Sequence, residues 1–437
     1  MEATRTDTKK NEMKYEKSEL ELMTTYQLRE ICRREKIMNG VIHPLDKEEL
    51  IQTIMRYMGK RQDFLICDRK KGGEERVEEF LKKTRIVIKP CKELYCQSQI
   101  LAYEGLSIEY YDGYTIPYKK ELSGTNAFLM GSDMTLCAIL NLKEHGGKQE
   151  KLYLTKAAEL ETRETQRKDY RIFCMGRQNS ECMYHLYYGE QTILPEHIEV
   201  YSIPLIDFVV RKPVTLMLPM AIDFGSVNTT AGVYLDSAYF EHLGQQAAIK
   251  NCRENEINYT VFEDGAGESM LLPSVIGVLA VEEEDDKLLF GYDAIRLANA
   301  SYVDEGFCVF YDVKRWIGEY EKEEEIVDRQ GRRRLVKRAE ILRRFFLYII
   351  RKTENRFKCR ISQVHISSPV KQKHYFRRMF LEILPEYMIN QEIMLDEGMA
   401  VLYNTISSML EQDTLEENEE YEALIIDCGG GTTDLCS

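Results

Sequence analysis

Two apolar runs that each end in an aspartate and a glycine turn constrain the fold of this chain more than any other feature. They are AIDFGSVNTTAGVYL at residues 221–235 and LIIDCGGGTTDL at residues 424–435. Short apolar runs followed by turn residues are typical of buried strands. Glycine lets backbone N–H groups approach an anion closely, because no Cβ stands in the way. Each segment therefore predicts two strands joined by a turn that can hold a phosphate.

The two segments differ in specificity. A turn such as Asp223-Phe224-Gly225 also joins strands in proteins that bind no anion. The three consecutive glycines 429–431 are costly in conformational entropy, so they indicate a backbone that comes very close to another group. Neither segment is a Walker loop, because GxxxxGK[ST] is absent from the sequence.

Residues 216–437 predict an α/β layout. Strand-like runs give way to a long helix through LVKRAEILRRFFLYIIRKTENRF (335–357). The arginines 332–334 most simply mark its solvated entrance, and the alternative is that they face a phosphate or an acidic partner. A strand (SQVHISSPV), a helix and a final strand (ALIIDCGGG) follow, and this alternation is typical of α/β proteins. The apolar positions of the long helix recur at helical spacing, and they are Leu335, Ala339, Leu342, Phe346 and Ile349.

Together the two glycine segments resemble the phosphate-1 and phosphate-2 loops of the actin, hexokinase and heat-shock ATPase superfamily, which clamp β- and γ-phosphates from opposite sides. The segments between them are similar to further motifs of the superfamily in the same order. They are LLPSVIG (271–277), FGYDAIRLA (290–298), YDVKRWIG (311–318) and LDEGMAVLY (395–403). Actin-type filament proteins and sugar kinases do not share the DVKRWIG segment, so the resemblance favours the heat shock protein 70 (DnaK-like) family.

The resemblance implies a partial actin-like, heat-shock-70-type ATPase domain with a ribonuclease H-like fold, and ATP or ADP with Mg²⁺ as cofactors. It gives catalytic roles to Asp223, Asp427, Lys314 and Glu397. The two aspartates would hold the waters around Mg²⁺, Lys314 would face the γ-phosphate, and Glu397 would complete that network. The reaction would be in-line attack of water on the γ-phosphate, without a covalent protein intermediate.

The same resemblance implies a set of nucleotide-binding residues in the two loops and the lysine segment. Two of them supply hydroxyl groups and the glycines supply backbone donors. They are Gly225, Ser226, Val227, Asn228, Lys314, Gly429, Gly430, Gly431 and Thr432. Taken singly, Lys314 has an alternative role as a surface lysine, Glu397 as a helix-cap residue and Asp434 as a polar strand end.

The sequence departs from the family pattern in three ways. Val227 stands where the first loop often has a hydroxyl residue, and residues 1–215 precede the ATPase segment. The sequence ends at Ser437, directly after the second loop. We expect the adenosine-binding lobe to be supplied by a longer chain or by a second polypeptide, or nucleotide turnover to have been lost.

Residues 1–17 predict a disordered charged tail, and residues 18–60 predict a small helical module. Thr24 and Gln27 have capping-box spacing before one helix, and Asp46 and Glu49 have it before a second. Residues 28, 31 and 32 form the apolar face of the first helix. The apolar stripe of the second is Leu50, Ile51, Ile54 and Met58. MNGVIHPL (38–45) predicts an extended connector.

This helix, connector, helix pattern resembles the SAP module, which binds nucleic acid or serves as a docking unit. The basic residues of its first helix are available for phosphate contacts, and they are Arg29, Arg33, Arg34 and Lys36. The simpler interpretation is a solvated face on a small interaction domain.

Residues 61–215 predict a β-rich domain of unknown role. The strand-like runs are TRIVIKP, LSIEYY, KLYLTK, YRIFCMG and HIEVYSIPLIDFVV. Asp112-Gly113 predicts a hairpin whose flanking tyrosines face each other across the strands. Stacking of bases on these tyrosines is the less common alternative.

Composition sets the remaining expectations. A formal net charge of -14 argues against a protein whose main task is coating nucleic acid. Twelve scattered cysteines without a CxxC pair predict reduced, mostly buried thiols. The sequence shows no secretion signal and no apolar stretch of membrane-spanning length, so we expect a cytoplasmic protein with no membrane partner.

The function that the sequence predicts is ATP binding and Mg²⁺-dependent hydrolysis by a chaperone-like protein. Its partners would be ATP together with protein clients or another protein that the N-terminal modules select. The alternative is a non-catalytic scaffold or nucleic-acid-docking protein in which the actin-like lobe is structural.

Overall fold

The computed structural model of the chain describes residues 15, 17–35, 46–58, 64–145, 149–156, 162–163, 169–243, 252–264, 267–282, 286–299, 307–328, 330–369, 372–389, 395–412, 414, 424–428 and 433–436. Contacts divide the chain into two compact units. The first comprises 1–62, 273–313 and 321–338, and the second comprises 63–272, 314–320 and 339–437. Helices and strands alternate in a mixed α/β chain.

The N-terminal part of the first unit contains the helices Lys17–Glu21, Thr25–Arg34 and Lys47–Met58. Both predicted capping boxes are confirmed. Thr24 and Gln27 bond reciprocally, and the Glu49 amide donates to the Asp46 carboxylate, 2.8 Å away. The apolar faces meet in one core of Leu20, Leu28, Ile31, Cys32, Leu50, Ile51 and Ile54. The predicted connector 38–45 and most of the predicted tail 1–17 lie outside the described residues.

In the rest of the first unit, the described residues form two small antiparallel sheets and one helix. The strands Ile276–Ala280, Lys287–Phe290 and Val309–Phe310 form one sheet beside the helix Tyr292–Asn299. The strands Glu323–Val327 and Arg333–Lys337 form a hairpin.

The hairpin corrects the predicted start of the long helix. Leu335 was expected on the apolar face of that helix, but it lies in the second strand of the hairpin and is 63% exposed. Its neighbour Val336 is buried instead, because side chains alternate across a strand. The long helix begins at Arg338, so the arginines 332–334 precede it within the loop and strand of this hairpin.

The second unit is built on a seven-stranded sheet, and four of its strands lie within the runs that the sequence predicts to be strands. All neighbours are antiparallel except the first two. In spatial order the strands are Arg85–Lys89, His197–Leu205, Tyr170–Met175, Thr125–Gly131, Leu136–Lys143, Lys151–Thr155 and Thr115–Pro117.

Both faces of this sheet are covered, so its central strands are buried along nearly their whole length. Phe128 and Met130 point to a core that includes residues from the helices Gly73–Lys83 and Arg177–Tyr188. Ala127 and Leu129 point to the opposite core, with residues from the parallel strands Gln99–Tyr103 and Asp207–Arg211. Burial of alternate residues on two faces explains why these runs lack an obvious polar side.

The predicted hairpin at Asp112-Gly113 is wrong. Tyr110–Asp112 form a 3-10 turn, and Gly113 ends it with a φ of 78°. The segment LSIEYY contains no strand, and Tyr110 stacks on His145, with ring centroids 3.6 Å apart. Asp112 is instead held by a 2.8 Å ion pair with Lys358, a long-range contact that outweighs the local turn preference.

A further sheet in the second unit has a main path of five strands. In spatial order they are Glu256–Tyr259, Asn228–Leu235, Met220–Phe224, Gln363–Ile366 and Met388–Ile389. The first three are antiparallel and the last three are parallel. We call the strands Met220–Phe224 and Asn228–Leu235 the first hairpin.

Helices cover one face of this sheet. Phe346, on the long helix Arg338–Phe357, packs edge-to-face on Phe224 and on Phe380 of the helix Lys373–Ile383. Leu342 and Ile349 are also buried, as predicted from their spacing. Asp223 lies on the exposed face, because it alternates with the buried Ile222 and Phe224.

The remaining elements are short. Ile425–Cys428 and Thr433–Cys436 form the second hairpin, which is a separate two-stranded sheet beside the helix Glu397–Glu411. The other bounds are Lys120–Leu122, Val214–Thr215, Ser237–Leu243, Phe262–Glu263, Glu268–Ser269, Leu272–Pro273, Val313–Glu319 and Cys359–Arg360.

Two expectations from composition can be compared with the described residues. All twelve cysteines lie in the described ranges, and the ten whose side chains are described are free thiols, five of them buried and five partly buried. None of the helices described is both long enough and apolar enough to cross a membrane.

Candidate functional site

The candidate site lies at the carboxyl end of the parallel strands Met220–Phe224 and Gln363–Ile366. From the first of these strands the chain turns to one side through the first hairpin, and it returns to the other side at Gln363–Ile366. The strand order therefore reverses between these two neighbours. Ligands of open α/β sheets bind outside the carboxyl ends of strands at such a point.

Asp223 occupies this edge with an exposed side chain. Its Oδ1 accepts a 2.9 Å hydrogen bond from the hydroxyl of Ser367, which follows the neighbouring strand. The Ser367 amide donates to the Ile222 carbonyl at 3.2 Å and extends the contact between the two strands. One oxygen of the carboxylate is thereby fixed within the sheet edge.

The turn of the first hairpin follows directly. The Gly225 amide donates to the Asn228 carbonyl at 3.1 Å, and a Cβ on Gly225 would lie only 2.4 Å from that carbonyl oxygen. Only glycine fits this turn without displacing the backbone. Ser226 and Asn228 are half-buried, whereas Val227 is 48% exposed at the tip.

Lys314 and Glu397 form an ion pair of 2.8 Å between Nζ and Oε1. Lys314 belongs to the 3-10 helix Val313–Glu319, and Glu397 is the first residue of the helix Glu397–Glu411. Each side chain is only 13% exposed, so the pair is shielded from most solvent. A pair in such surroundings is screened less by salt than one on an open surface.

Asp396 fixes the start of the helix that carries Glu397. Its carboxylate accepts a 2.8 Å hydrogen bond from the Met399 amide and pairs with Lys373 at 2.8 Å. Burial disfavours the charged carboxylate, but Lys373 and the Met399 amide outweigh this effect and hold the pKa of Asp396 below its usual value.

Ser367 and Ser368 connect the two parts of the site. Ser367 bonds the Asp223 side chain, and the Ser368 carbonyl accepts from the Glu397 amide at 3.2 Å. The structure therefore brings Asp223, the first turn, Lys314 and Glu397 to one edge of the sheet.

The second loop is described only in part. The backbones of Asp427 and Asp434 lie opposite each other in the second hairpin. Gly429, Gly430, Gly431 and Thr432 lie outside the described residues, and the side chain of Asp427 is not described. That Asp427 and this loop face the first hairpin stays a prediction.

Sequence reasoning missed Ser367, Lys373 and Asp396. Two signals were available in the sequence. Ser367 is one of two serines that follow an apolar strand in HISSPV, and Asp396 directly precedes the predicted helix of Glu397. Ser367 and Asp396 are short polar residues at the end of a strand and at the start of a helix. Such residues bond nearby backbone groups and fix loop geometry.

Mg²⁺ is compatible with the carboxylates at this edge. Within the ranges described, no group of three or more His, Cys, Asp or Glu side chains is arranged to hold a metal directly. Mg²⁺ does not require one, because it keeps several waters and commonly takes only one or two carboxylates together with phosphate oxygens. The exposed Asp223, with one oxygen held by Ser367, fits contact through such waters.

The basic residues of the helical module were the second candidate site. Arg33 pairs with Glu30 at 2.6 Å, and Arg34 contacts Glu35 and the Tyr15 hydroxyl. Lys36 lies outside the described residues. Because carboxylates already neutralise part of this face, the geometry adds no support for nucleic-acid binding.

No family model matches the chain, and no curated protein matches its sequence.

Proposed function

We propose that the chain is an actin-type, heat-shock-70-like protein that binds ATP with Mg²⁺ and hydrolyses it at the carboxyl end of the parallel strands Met220–Phe224 and Gln363–Ile366. The observation that carries the proposal is the convergence of Lys314, Glu397 and Asp223 at this edge. Lys314 and Glu397 are separated by 83 residues in sequence, and Asp223 and its partner Ser367 by 144.

The topology supports this assignment. Three antiparallel strands followed by two parallel strands place Asp223 and the Gly225 turn beside the point where strand order reverses. An actin-type ATPase requires its first phosphate loop at such an edge, with a lysine and a glutamate reaching it from separate segments. The resemblance gives these roles to Lys314 and Glu397 from their motifs alone, and the two side chains form an ion pair of 2.8 Å.

Each residue has a chemical task in this proposal. Lys314 provides a positive charge for the oxygens of the γ-phosphate, and the backbone around Gly225 supplies amide donors to the phosphates. Glu397 orients the attacking water and can accept its proton. Asp223 orients water on the same side, with its carboxylate held by Ser367. Mg²⁺ bound together with ATP would neutralise part of the phosphate charge.

Single-turnover phosphate release from Mg-ATP tests the hydrolytic part of the proposal. We expect Glu397→Gln to slow release by roughly 100-fold or more, because it removes a group that handles a proton in the reaction. The matched control is Glu199→Gln, which breaks a 2.7 Å pair with Lys89 on the seven-stranded sheet. Release by the wild-type chain at the rate of the buffer blank would contradict hydrolysis, as would equal rates for wild type and Glu397→Gln.

A further inference from the structure

We propose that Lys373 and Asp396 form a positioning pair that holds Glu397 against Lys314. The inference deepens the proposed function, since it concerns how the carboxylate of that site is placed. Lys373 lies outside the motifs from which the function was inferred, and Asp396 lies within LDEGMAVLY, where the resemblance gives it no role.

Asp396 is fully engaged by two partners. Oδ1 accepts from the Met399 amide, which caps the helix Glu397–Glu411, and Oδ2 accepts from Lys373 Nζ, each at 2.8 Å. The residue is 8% exposed. Lys373 begins the helix Lys373–Ile383, so the pair ties the first turns of two helices together.

The tie extends to Glu397 through the backbone. Glu397 directly follows the cap, and its amide donates to Ser368, which pairs with Asp396 in an isolated parallel bridge. A shift of the helix start would therefore carry the Glu397 carboxylate with it. Misplacement of a reacting group by about 1 Å costs a site much of its activity.

Lys314 provides a reporter for this geometry. Its ammonium is 2.8 Å from Glu397 and its side chain is 13% exposed, so both the pair and the shielding slow its reaction with an acylating reagent. If Glu397 moves, Lys314 loses a charge-assisted hydrogen bond and gains access to the reagent. Lys358 is an internal reference, because it is 4% exposed and pairs with Asp112 at 2.8 Å.

The experiment measures acetylation rates of individual lysines in the full chain by mass spectrometry, without nucleotide. Lys373→Met removes the positive partner. Asp396→Asn removes the negative charge but keeps a good helix cap, so it separates pairing from capping. Lys373→Arg keeps the positive charge. Lys89→Met is the matched control, because Lys89 pairs with Glu199 at 2.7 Å and its side chain is 41% exposed, against 39% for Lys373.

We expect Lys373→Met and Asp396→Asn to raise the acetylation rate of Lys314 by roughly three- to tenfold, the effect of losing one charge-assisted hydrogen bond. Lys373→Arg and Lys89→Met should leave that rate within about twofold of wild type. Lys358 should react equally slowly in all variants. An unchanged acetylation rate of Lys314 in both disrupting variants would overturn the proposal. An equal rise in the acetylation rate of Lys358 would also overturn it, because that result indicates a general loss of structure.

Calorimetric titration of the same variants with Mg-ATP separates this inference from the proposed function. If wild type binds, Lys373→Met should weaken the affinity while Lys373→Arg retains it. If wild type does not bind but the Lys314 rates follow the expected pattern, the positioning pair stands and the proposed function is lost.

Discussion

Gly225 shows how closely a single residue controls the candidate site. Its amide bonds the Asn228 carbonyl at 3.1 Å, and the same carbonyl leaves no space for a Cβ. The sequence indicated a close backbone approach here, and the geometry gives its physical cause within the turn itself. The glycine thus serves the shape of the first turn whether or not a phosphate is bound.

Gly225→Ala should lower the free energy of unfolding by about 1–3 kcal/mol, because the added methyl group must displace backbone. Gly318→Ala is the control, since no atom lies within 4 Å of the position its Cβ would take. Urea unfolding of both variants measures the difference. Equal stability of the two variants would contradict the turn geometry.

Asp396 makes the stability of the folded chain depend on pH. Its pKa is lowered in the folded chain, so its charge stabilises the fold above the unfolded pKa of about 3.9. This contribution is lost as the pH falls through the lower, folded pKa. We expect the stability gap between wild type and Asp396→Asn to be largest near neutral pH and to shrink toward pH 3, measured by urea unfolding. A gap that does not change with pH would contradict this assignment.

At the scale of elements, the long helix supports the strand that carries Asp223. Phe346 is fully buried, and its ring packs edge-to-face on Phe224 with centroids 5.0 Å apart and on Phe380 at 4.7 Å. Because Phe224 directly follows Asp223, this aromatic core also fixes the backbone of the site.

Phe346→Ala should cost about 3–5 kcal/mol of stability, since it leaves a cavity among three aromatic rings. Leu335→Ala should change stability by no more than about 0.5 kcal/mol, because Leu335 is exposed in the neighbouring hairpin. Chemical unfolding of the two variants tests the helix boundary directly. A large loss of stability in Leu335→Ala would contradict the exposed position of Leu335 and favour a helix that begins before Arg338.

The sequence predicted those features that depend on residues close together in the chain, such as helix caps. Thr24 and Asp46 were found as caps because a capping box needs only residues three positions apart. Asp112-Gly113 was mistaken for a hairpin because its decisive partner, Lys358, lies 246 residues away. A separation of 144 residues likewise hid the contact between Ser367 and Asp223, which no period or motif encodes.

Across the whole molecule, contacts join the β-rich segment to the end of the long helix and the strand Cys359–Arg360, which lead into the strand Gln363–Ile366 within the second unit. Lys358 is buried, and its ammonium bonds both the Asp112 carboxylate and the Ser107 carbonyl at 2.8 Å. Arg360 also donates to the Glu104 carbonyl at 3.1 Å. We expect the two parts to unfold together.

Hydrogen exchange in urea tests this coupling through peptides from residues 125–143 and 220–235, which report on the two sheets. Both should lose protection at one urea concentration in wild type. Lys358→Met should lower that midpoint by the equivalent of about 3–5 kcal/mol, because it leaves Asp112 without its buried partner. Lys89→Met, which breaks an exposed pair, should cost no more than about 1 kcal/mol. Separate wild-type midpoints for the two sheets would contradict the coupling.

Calorimetric titration of the full chain with ATP, with and without Mg²⁺, tests the proposed phosphate site most directly. We expect binding that requires Mg²⁺ and that Lys314→Met weakens by roughly tenfold or more, because the phosphate loses its buried positive charge. Lys89→Met should bind as wild type does. No binding of Mg-ATP by wild type, or equal affinity in Lys314→Met, would contradict a phosphate site at this sheet edge.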